Sequence, residues 1–329
     1  MKCTVCREPA VIDIRRHNAY FCPDHFLRLC RDQTAKAIKD HQMFGPDDRV
    51  LVAVSGGKDS LAVWDILLEL GYRADGFVIG LGIGDYSAAS TQHARDYATG
   101  RGATLLEVNL PDEYGYDIPS GSKAARRTPC SACGLTKRHL FDRAAVDGGY
   151  DVVVTGHNLD DEAAVLFGNV LHWHTEYLGR QSPVLPARAG FPRKAKPLIR
   201  LGEREMAAYC VLKGIDYIVE ECPMAAGNRH LQYKESLNSV EARSPGAKFD
   251  FYHRFLTAAA PAFRIADEDD TLSRCERCGA PCSAEVCAFC RLVERATTPQ
   301  PVHLGPRRRR GAANTATTTD RSTAEGHAP

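Results

Sequence analysis

Three groups of residues have the types and spacing that chemistry requires. Ser55-Gly56-Gly57-Lys58-Asp59-Ser60 combines two adjacent glycines with a cation and a carboxylate; glycines let a backbone close on an anion without a Cβ in the way. Asp160 and Asp161 stand together shortly after Gly156, a pairing that suits a divalent cation. The 13 cysteines are the third group, gathered as Cys3/Cys6/Cys22, Cys130/Cys133, Cys222 and Cys275/Cys278/Cys287/Cys290, with Cys30, Cys210 and Cys282 left over. In a cytosolic chain of this length such clusters imply bound metal or thiol chemistry rather than disulfides.

The terminal clusters have metal spacing. Cys3-x-x-Cys6 and Cys22-x-x-His25 are separated by fifteen residues, and Cys275-x-x-Cys278 and Cys287-x-x-Cys290 by eight. Two close pairs joined by a loop are what tetrahedral zinc needs, and the ion closes a segment too short to build its own core. His25 takes the register of the fourth ligand, with Asp24 as its competitor; Cys282 competes at the second site but falls outside the paired spacing. The middle thiols differ. Cys130, Cys133 and Cys222 have no evident fourth protein partner, which leaves two alternatives: disulfide or persulfide chemistry between Cys222 and Cys130 or Cys133, or a [4Fe–4S] cluster held by three thiolates with one iron open. The cluster is the preferred assignment.

The elements that position these groups follow from periodicity. Val50–Val54 is a short apolar run, as in a strand buried on both faces. From Ser60 the apolar residues take helical spacing (Leu61, Trp64, Leu67, Leu68), and Gly71 stands where a helix would end. Strand, glycine turn and helix N-terminus together form an anion cradle. The Walker pattern G-x-x-x-x-G-K-[S/T] is absent; S-G-G-K-D-S instead resembles the PP-loop of the ATP pyrophosphatases, which implies a hold on the pyrophosphate end of ATP.

Further strands are expected at Ala74–Ile83, Thr104–Leu110, Tyr150–Thr155 and Ile215–Glu220. Helices are expected at Phe26–Met43, Ser87–Tyr97, Leu135–Val146, from Gly156 to Trp173, over 202–213, and from His230 and Lys248. Alternating strands and helices imply a doubly wound, mostly parallel α/β sheet of Rossmann-like, PP-loop type, flanked by zinc-binding modules at both termini. Ligands of such sheets sit beyond the carboxyl ends of the strands. That places Ser55–Ser60, Ile79 and Gly156–Asp161 on one edge. Helix capping accounts for one aspartate, Asp160, and leaves Asp161 to face a nucleotide through Mg²⁺. Residues 111–129 and 179–200 are expected as basic loops, and the basic segments 123–138 and 179–200 are expected to flank that edge, suited to a phosphate backbone. The boundaries follow: a zinc finger at 1–30, the catalytic domain at 31–265, a second zinc finger at 266–295 and a disordered tail at 296–329 carrying Arg307–Arg310.

Overall charge is uninformative, at +1 with 25% charged residues in 329. No apolar run approaches the roughly 20 residues of a membrane span, and the N-terminus lacks the apolar core of a signal peptide. A cytoplasmic location without a membrane partner is expected.

Taken together, S-G-G-K-D-S, P-C-S-A-C-G-L-T-K-R, G-H-N-L-D-D-E-A, E-C-P and the two zinc frames resemble the tRNA 2-thiolation enzymes of the TtcA/TtuA family, most closely the TtuA branch, over residues 1–292. The resemblance implies zinc at Cys3, Cys6, Cys22 and His25 and at Cys275, Cys278, Cys287 and Cys290, and a [4Fe–4S] cluster on Cys130, Cys133 and Cys222. It marks Asp59, Lys137 and Asp161 as catalytic, with Ala53, Ser55, Gly56, Gly57, Lys58, Ser60, Ile79 and Gly156 lining ATP. It also implies a T-loop uridine of tRNA as substrate, a ubiquitin-like sulfur carrier ending in a thiocarboxylate, and a homodimer. Thiolation of the anticodon wobble uridine, with persulfide chemistry at Cys130 and Cys222, is the alternative.

Overall fold

The computed structural model describes residues 1–225, 227, 229–263 and 272–298. The expected boundary at 265/266 and the tail from residue 299 onward, Arg307–Arg310 included, lie outside the described residues. The chain opens with an antiparallel hairpin, β1 (Ile12–Ile14) and β2 (Ala19–Phe21), ahead of helix α1 (Pro23–Asp40). Then strand and helix alternate: β3 (Arg49–Val54), α2 (Lys58–Glu69), β4 (Arg73–Gly80), α3 (Gly84–Arg101) and β5 (Leu105–Asn109). Two short helices, α4 (Leu110–Tyr114) and α5 (Ile118–Ala124), lead to α6 (Pro129–Gly148). After β6 (Val152–Thr155) and α7 (Leu159–Leu171) come α8 (Thr175–Gly179), β7 (Val184–Leu185), β8 (Arg193–Ala195) and α9 (Glu203–Lys213). Helices α10 (Arg229–Arg243), α11 (Ala247–Arg254) and α12 (Ala260–Phe263) follow, a π-helical turn joining the last two. Finally β9 (Ser273–Arg274) and β10 (Pro281–Cys282) pair ahead of α13 (Ala288–Thr297).

The main sheet has the order β5-β4-β3-β6-β8-β7 and is parallel except for the β7–β8 edge. The expected fold class holds: a mostly parallel α/β sheet with a thiol-rich module at each end. Strand β3 is central, and Val50–Val54 are all buried. The chain leaves β3 towards β4 and β5, then returns to β6 on the opposite side. That reversal creates a crevice between the carboxyl ends of β3 and β6, where such sheets bind ligands. Both of the loops singled out above, 55–60 and 156–161, emerge there.

Several expectations need correction. Residues 215–219 form no strand; the Ile218 N–H bonds the Gly56 carbonyl (3.0 Å), so this segment crosses the loop after β3 instead of joining the sheet. Residues 111–129 are not one loop, since α4 and α5 both start with proline in their first turn, and Asp117 caps α5 by accepting from Ser120 N–H (2.6 Å). Proline there removes an N–H that would be unpaired anyway, so its presence marks a helix start as well as a loop. Helix α6 starts at Pro129 rather than at 135, capped by Thr128. Residues 179–200 contain β7 and β8.

The core behind the crevice is tight at α2. Trp64 is fully buried and donates its indole N–H to the Ala74 carbonyl (2.9 Å). Its ring covers Gly76 of β4, where a Cβ would come within 2.4 Å of the ring. One residue on, buried Asp65 accepts from Tyr97 (2.9 Å) and Tyr209 (2.6 Å) and pairs with Arg101 (2.6 Å), tying α2 to α3 and α9. No helix among the described residues is long and apolar enough to cross a membrane. Replacing Gly76 by Ala would force the indole and strand apart. Urea unfolding should show a loss of about 1–3 kcal/mol, and an unchanged midpoint would mean that the ring relaxes freely.

Candidate functional site

The cradle is built by two turns in backbone contact. After β3 the chain turns at Gly56 (φ +69°), where a Cβ would lie 2.0 Å from the Ser90 carbonyl oxygen of α3, so glycine is required sterically as well as conformationally. Ser90 Oγ donates to the Ser55 carbonyl (2.5 Å), and Ser60 Oγ accepts from the Ser55 N–H (3.0 Å) while donating to the Gly57 carbonyl (2.9 Å). Helix α2 then begins at Lys58 with Gly57 as its N-cap and no side chain capping it. Its first-turn N–H groups and the positive end of its dipole are therefore left for an anion. After β6 the second turn passes at Gly156, where a Cβ would lie 2.7 Å from the Asp59 carbonyl carbon and oxygen. Ala53 faces Phe77 and Thr155 in register on the neighbouring strands, and Ile79 is buried one residue before the end of β4. Ala53, Ser55, Gly56, Gly57, Ile79 and Gly156 thus lie at the carboxyl ends of three adjacent strands.

Asn158 joins the two turns. Its Nδ2 donates to Asp59 Oδ1 (3.0 Å), its Oδ1 caps α7, and its N–H donates to Asp161 Oδ2 (3.0 Å) in a capping box. The capping aspartate is therefore Asp161, not Asp160 as expected. Buried Asp160 turns away to accept from the Glu203 N–H (2.8 Å) and to pair with Lys248. From Asp161 a chain of contacts returns to the cradle. Lys234 Nζ is 2.6 Å from Asp161 Oδ1 and 3.1 Å from Glu203 Oε2, Glu203 Oε1 is 2.8 Å from Lys58 Nζ, and Lys58 Nζ is 3.2 Å from Asp59 Oδ2. Asp59, Asn158, Asp161, Lys234, Glu203 and Lys58 thus close a ring of polar contacts. Burial raises the Asp59 carboxyl above its ordinary range, with Asp161 adding to the shift and Lys58 opposing it. For Glu203, burial pushes up, but hydrogen bonds and charge from Lys58 and Lys234 outweigh it and lower the group.

Asn158, Glu203 and Lys234 were not singled out from sequence. Asn158 had a local signal, an Asn just before an acidic helix start. Glu203 and Lys234 had none, because they reach the site from α9 and α10, roughly 40 to 70 residues downstream of Asp161.

Cys130 and Cys133 lie on the first turns of α6, three residues apart and so on one face. Burial raises the Cys133 thiol; Lys137, one turn further, counteracts this, while Cys222 and Cys130 add to it. The three thiols and Lys137 thus share one neighbourhood, and the Cys130 Sγ also approaches the Met224 carbonyl (3.7 Å). Lys137 makes no hydrogen bond or ion pair among the described residues; burial lowers the His157 imidazole, and the Lys137 charge adds to this while Asp161 opposes it.

Among the described residues two sets have donor atoms that all lie within 4.8 Å of one another: Cys3/Cys6/Cys22/His25 and Cys275/Cys278/Cys287/Cys290. Cys22 Sγ is 3.1 Å from His25 Nδ1, Cys6 and Cys22 sulfurs are 3.6 Å apart, and Cys278 and Cys287 sulfurs 3.7 Å. Thiolates about 2.3 Å from one tetrahedral ion are about 3.8 Å apart, so both sets fit a single ion. Cys130, Cys133 and Cys222 do not form such a set.

The basic stretch at 179–200 is mostly paired within the protein: Arg193 with Asp48, Lys194 with Asp142, Lys196 with Glu162 and Arg200 with Asp40, at 2.7–3.7 Å. These four side chains hold the fold together, which weakens the case for this segment as a phosphate-binding loop.

Residues 2–27 match the family described as 2-thiouridine synthetase TtuA, N-terminal LIM domain. The chain is 46% identical to a tRNA-5-methyluridine(54) 2-sulfurtransferase of Thermus thermophilus, covering 93% of this chain and 98% of that protein. It is 41% identical to the protein of the same name from Pyrococcus horikoshii, covering 89% and 93%. Among solved structures it resembles in fold the U34-tRNA thiolase NcsA from Methanococcus maripaludis with its [4Fe-4S] cluster, with a TM-score of 0.76 at 21% identity, covering 91% and 98%.

The raised Asp59 carboxyl has a pH consequence. Its folded pKa lies above the unfolded value, so protonation favours the folded state: its stabilising effect is full below the unfolded value, about 3.9, and is lost as pH rises through the folded one. Asp59→Asn should therefore melt higher than the parent at pH 7 in metal- and nucleotide-free buffer, and the two should converge near pH 3.5. Equal melting at both pH values would show that Lys58 and Asn158 fully offset the burial.

Proposed function

The chain belongs to the TtuA-type tRNA 2-thiolation sulfurtransferases, and from that premise we propose that it activates a T-loop uridine of tRNA with ATP and replaces its C2 oxygen by sulfur. The observation that carries this is the cradle at the β3/β6 crevice, with Asp59 and Asp161 linked through Asn158. A carbonyl oxygen is a poor leaving group. The C2 oxygen of the base therefore attacks the α-phosphate, an O–P bond forms, and the bond to the β-phosphate oxygen breaks. Gly56, Gly57, Ser60 and the first turn of α2 hold the departing pyrophosphate. Asp59 and Asp161 orient its Mg²⁺, and Lys137 offsets charge growing on the α-phosphate. Sulfide then adds at C2 and AMP departs with the original oxygen.

Cys130, Cys133 and Cys222 would hold a [4Fe–4S] cluster, whose open iron supplies a site for the incoming sulfide. Zinc at the two terminal sets would fix modules too small to fold on their own cores. The family resemblance supports a thiocarboxylated ubiquitin-like carrier as sulfur source and a homodimer as the working form.

Given unmodified tRNA, ATP, Mg²⁺ and sulfide, the anaerobically purified protein should release AMP and pyrophosphate only with tRNA present, and sulfur should appear in the T-loop fragment by mass spectrometry. ADP as product would overturn cleavage at the α-phosphate, and sulfur in the anticodon fragment would move the target to the wobble uridine. Asp59→Ala should bind tRNA normally yet lose thiolation by roughly 100-fold.

Metal analysis of the same preparation should find two zinc ions per chain together with iron and sulfide, and Cys275→Ser should lower the zinc to one. Two zinc ions without iron would favour persulfide chemistry at Cys130 and Cys222.

A further inference from the structure

Two members of the polar ring have no role in the scheme above. Lys234 projects from α10 and Glu203 from the first turn of α9, and both are half-buried. Each oxygen of the Glu203 carboxylate takes one ammonium group, Lys58 at 2.8 Å and Lys234 at 3.1 Å. Lys58 is the first residue of α2 and so stands at the mouth of the anion cradle. One carboxylate thus holds two lysines side by side next to the backbone that closes on phosphate. The Lys234 ammonium also lies 2.6 Å from Asp161 Oδ1.

We propose that Lys234 is a ligand of the pyrophosphate end of ATP, and that Glu203 is a positioning residue that aims Lys58 and Lys234 at the same phosphate oxygens. The inference rests on the ATP assignment made above and extends it. Charge determines the arrangement. Asp59 and Asp161 both repel phosphate, and the cradle's own N–H groups carry only partial charge. With Glu203 the ring holds three carboxylates against the two ammonium groups of Lys58 and Lys234, so these cations offset most of the negative charge that phosphate would meet. A divalent ion held by Asp161 would take the Oδ1 that Lys234 now pairs with, which would leave the Lys234 ammonium group for the phosphates. Glu203 is itself fixed, since its N–H is bonded to buried Asp160 (2.8 Å). Without it the two flexible side chains would have to be ordered by the ligand, at an entropic cost of up to about 2 kcal/mol each.

The cation that matters is at the pyrophosphate end, so the test separates the two halves of the nucleotide. Calorimetric titration of the full-length protein with Mg²⁺-pyrophosphate and, separately, with AMP should give the following pattern. Lys234→Met should weaken pyrophosphate by roughly 10-fold or more while changing AMP affinity less than about twofold. Lys234→Arg should recover most of that loss, and Glu203→Gln should weaken pyrophosphate about threefold, a smaller effect, again sparing AMP. In turnover, Lys234→Met should show its defect in KM for ATP as well as in kcat, with a melting temperature near that of the parent. Equal weakening of pyrophosphate and AMP, or no weakening of either, would overturn the assignment of Lys234. Failure of the parent to bind pyrophosphate and AMP would overturn the ATP assignment itself, and this inference with it.

Discussion

Everything at this site depends on two turns touching through their backbones. The turn after β3 lies against α3 at Gly56, and the turn after β6 lies against the first turn of α2 at Gly156, each closer than a Cβ would permit. Contact at that distance has two consequences. It brings Asp59 and Asp161 into one polar ring although they come from the first turns of different helices, and it leaves the α2 N-terminus without a side-chain cap. A larger residue at either glycine would part the carboxylates and fill the cradle at once. The same geometry explains why Asn158 serves here: its side chain is short enough to cap α7 and still reach Asp59.

Around this contact the protein is braced by buried carboxylates. Asp65, Asp160, Glu162 and Glu205 are all nearly inaccessible. Each has a cation: Asp65 has Arg101, Asp160 has Lys248, Glu162 has Lys196 and Glu205 has Arg16. An unpaired buried charge would be costly, so these pairs are obligatory partners rather than surplus stability. They join elements that no strand pairing connects, such as α2 with α3, α7 with the β8 region, and the N-terminal module with α9. The overall charge of +1 conceals this internal matching.

The strand–loop–helix unit at 50–67 was legible because a continuous apolar run and a period-3.6 pattern meet there at a glycine pair. Both terminal ligand sets were legible because two close pairs admit few other uses. What stayed hidden was long-range. Asp160 and Asp161 are alike as neighbours, and only the fold decides that Asp161 closes the capping box while Asp160 is buried against α9 and α11. The basic stretch at 179–200 looked like a surface for phosphates because the carboxylates that neutralise it lie 34 to 160 residues away in the chain. Ile215–Glu220 had a strand's composition, but its one backbone bond to the cradle goes to a loop. The contribution of α9 and α10 had no local signature.

Helix α9 has a place of its own in this arrangement. Its first turn carries Glu203 of the ring and Glu205, which receives both terminal nitrogens of Arg16 from the hairpin side of the N-terminal module (2.5 and 2.8 Å), and its middle carries Tyr209 on Asp65. One turn of the helix thus ties the small thiol module to the polar ring, and its middle anchors both in the core. A change in how the small module packs would therefore reach the crevice through one helical turn, without touching a single residue inside it.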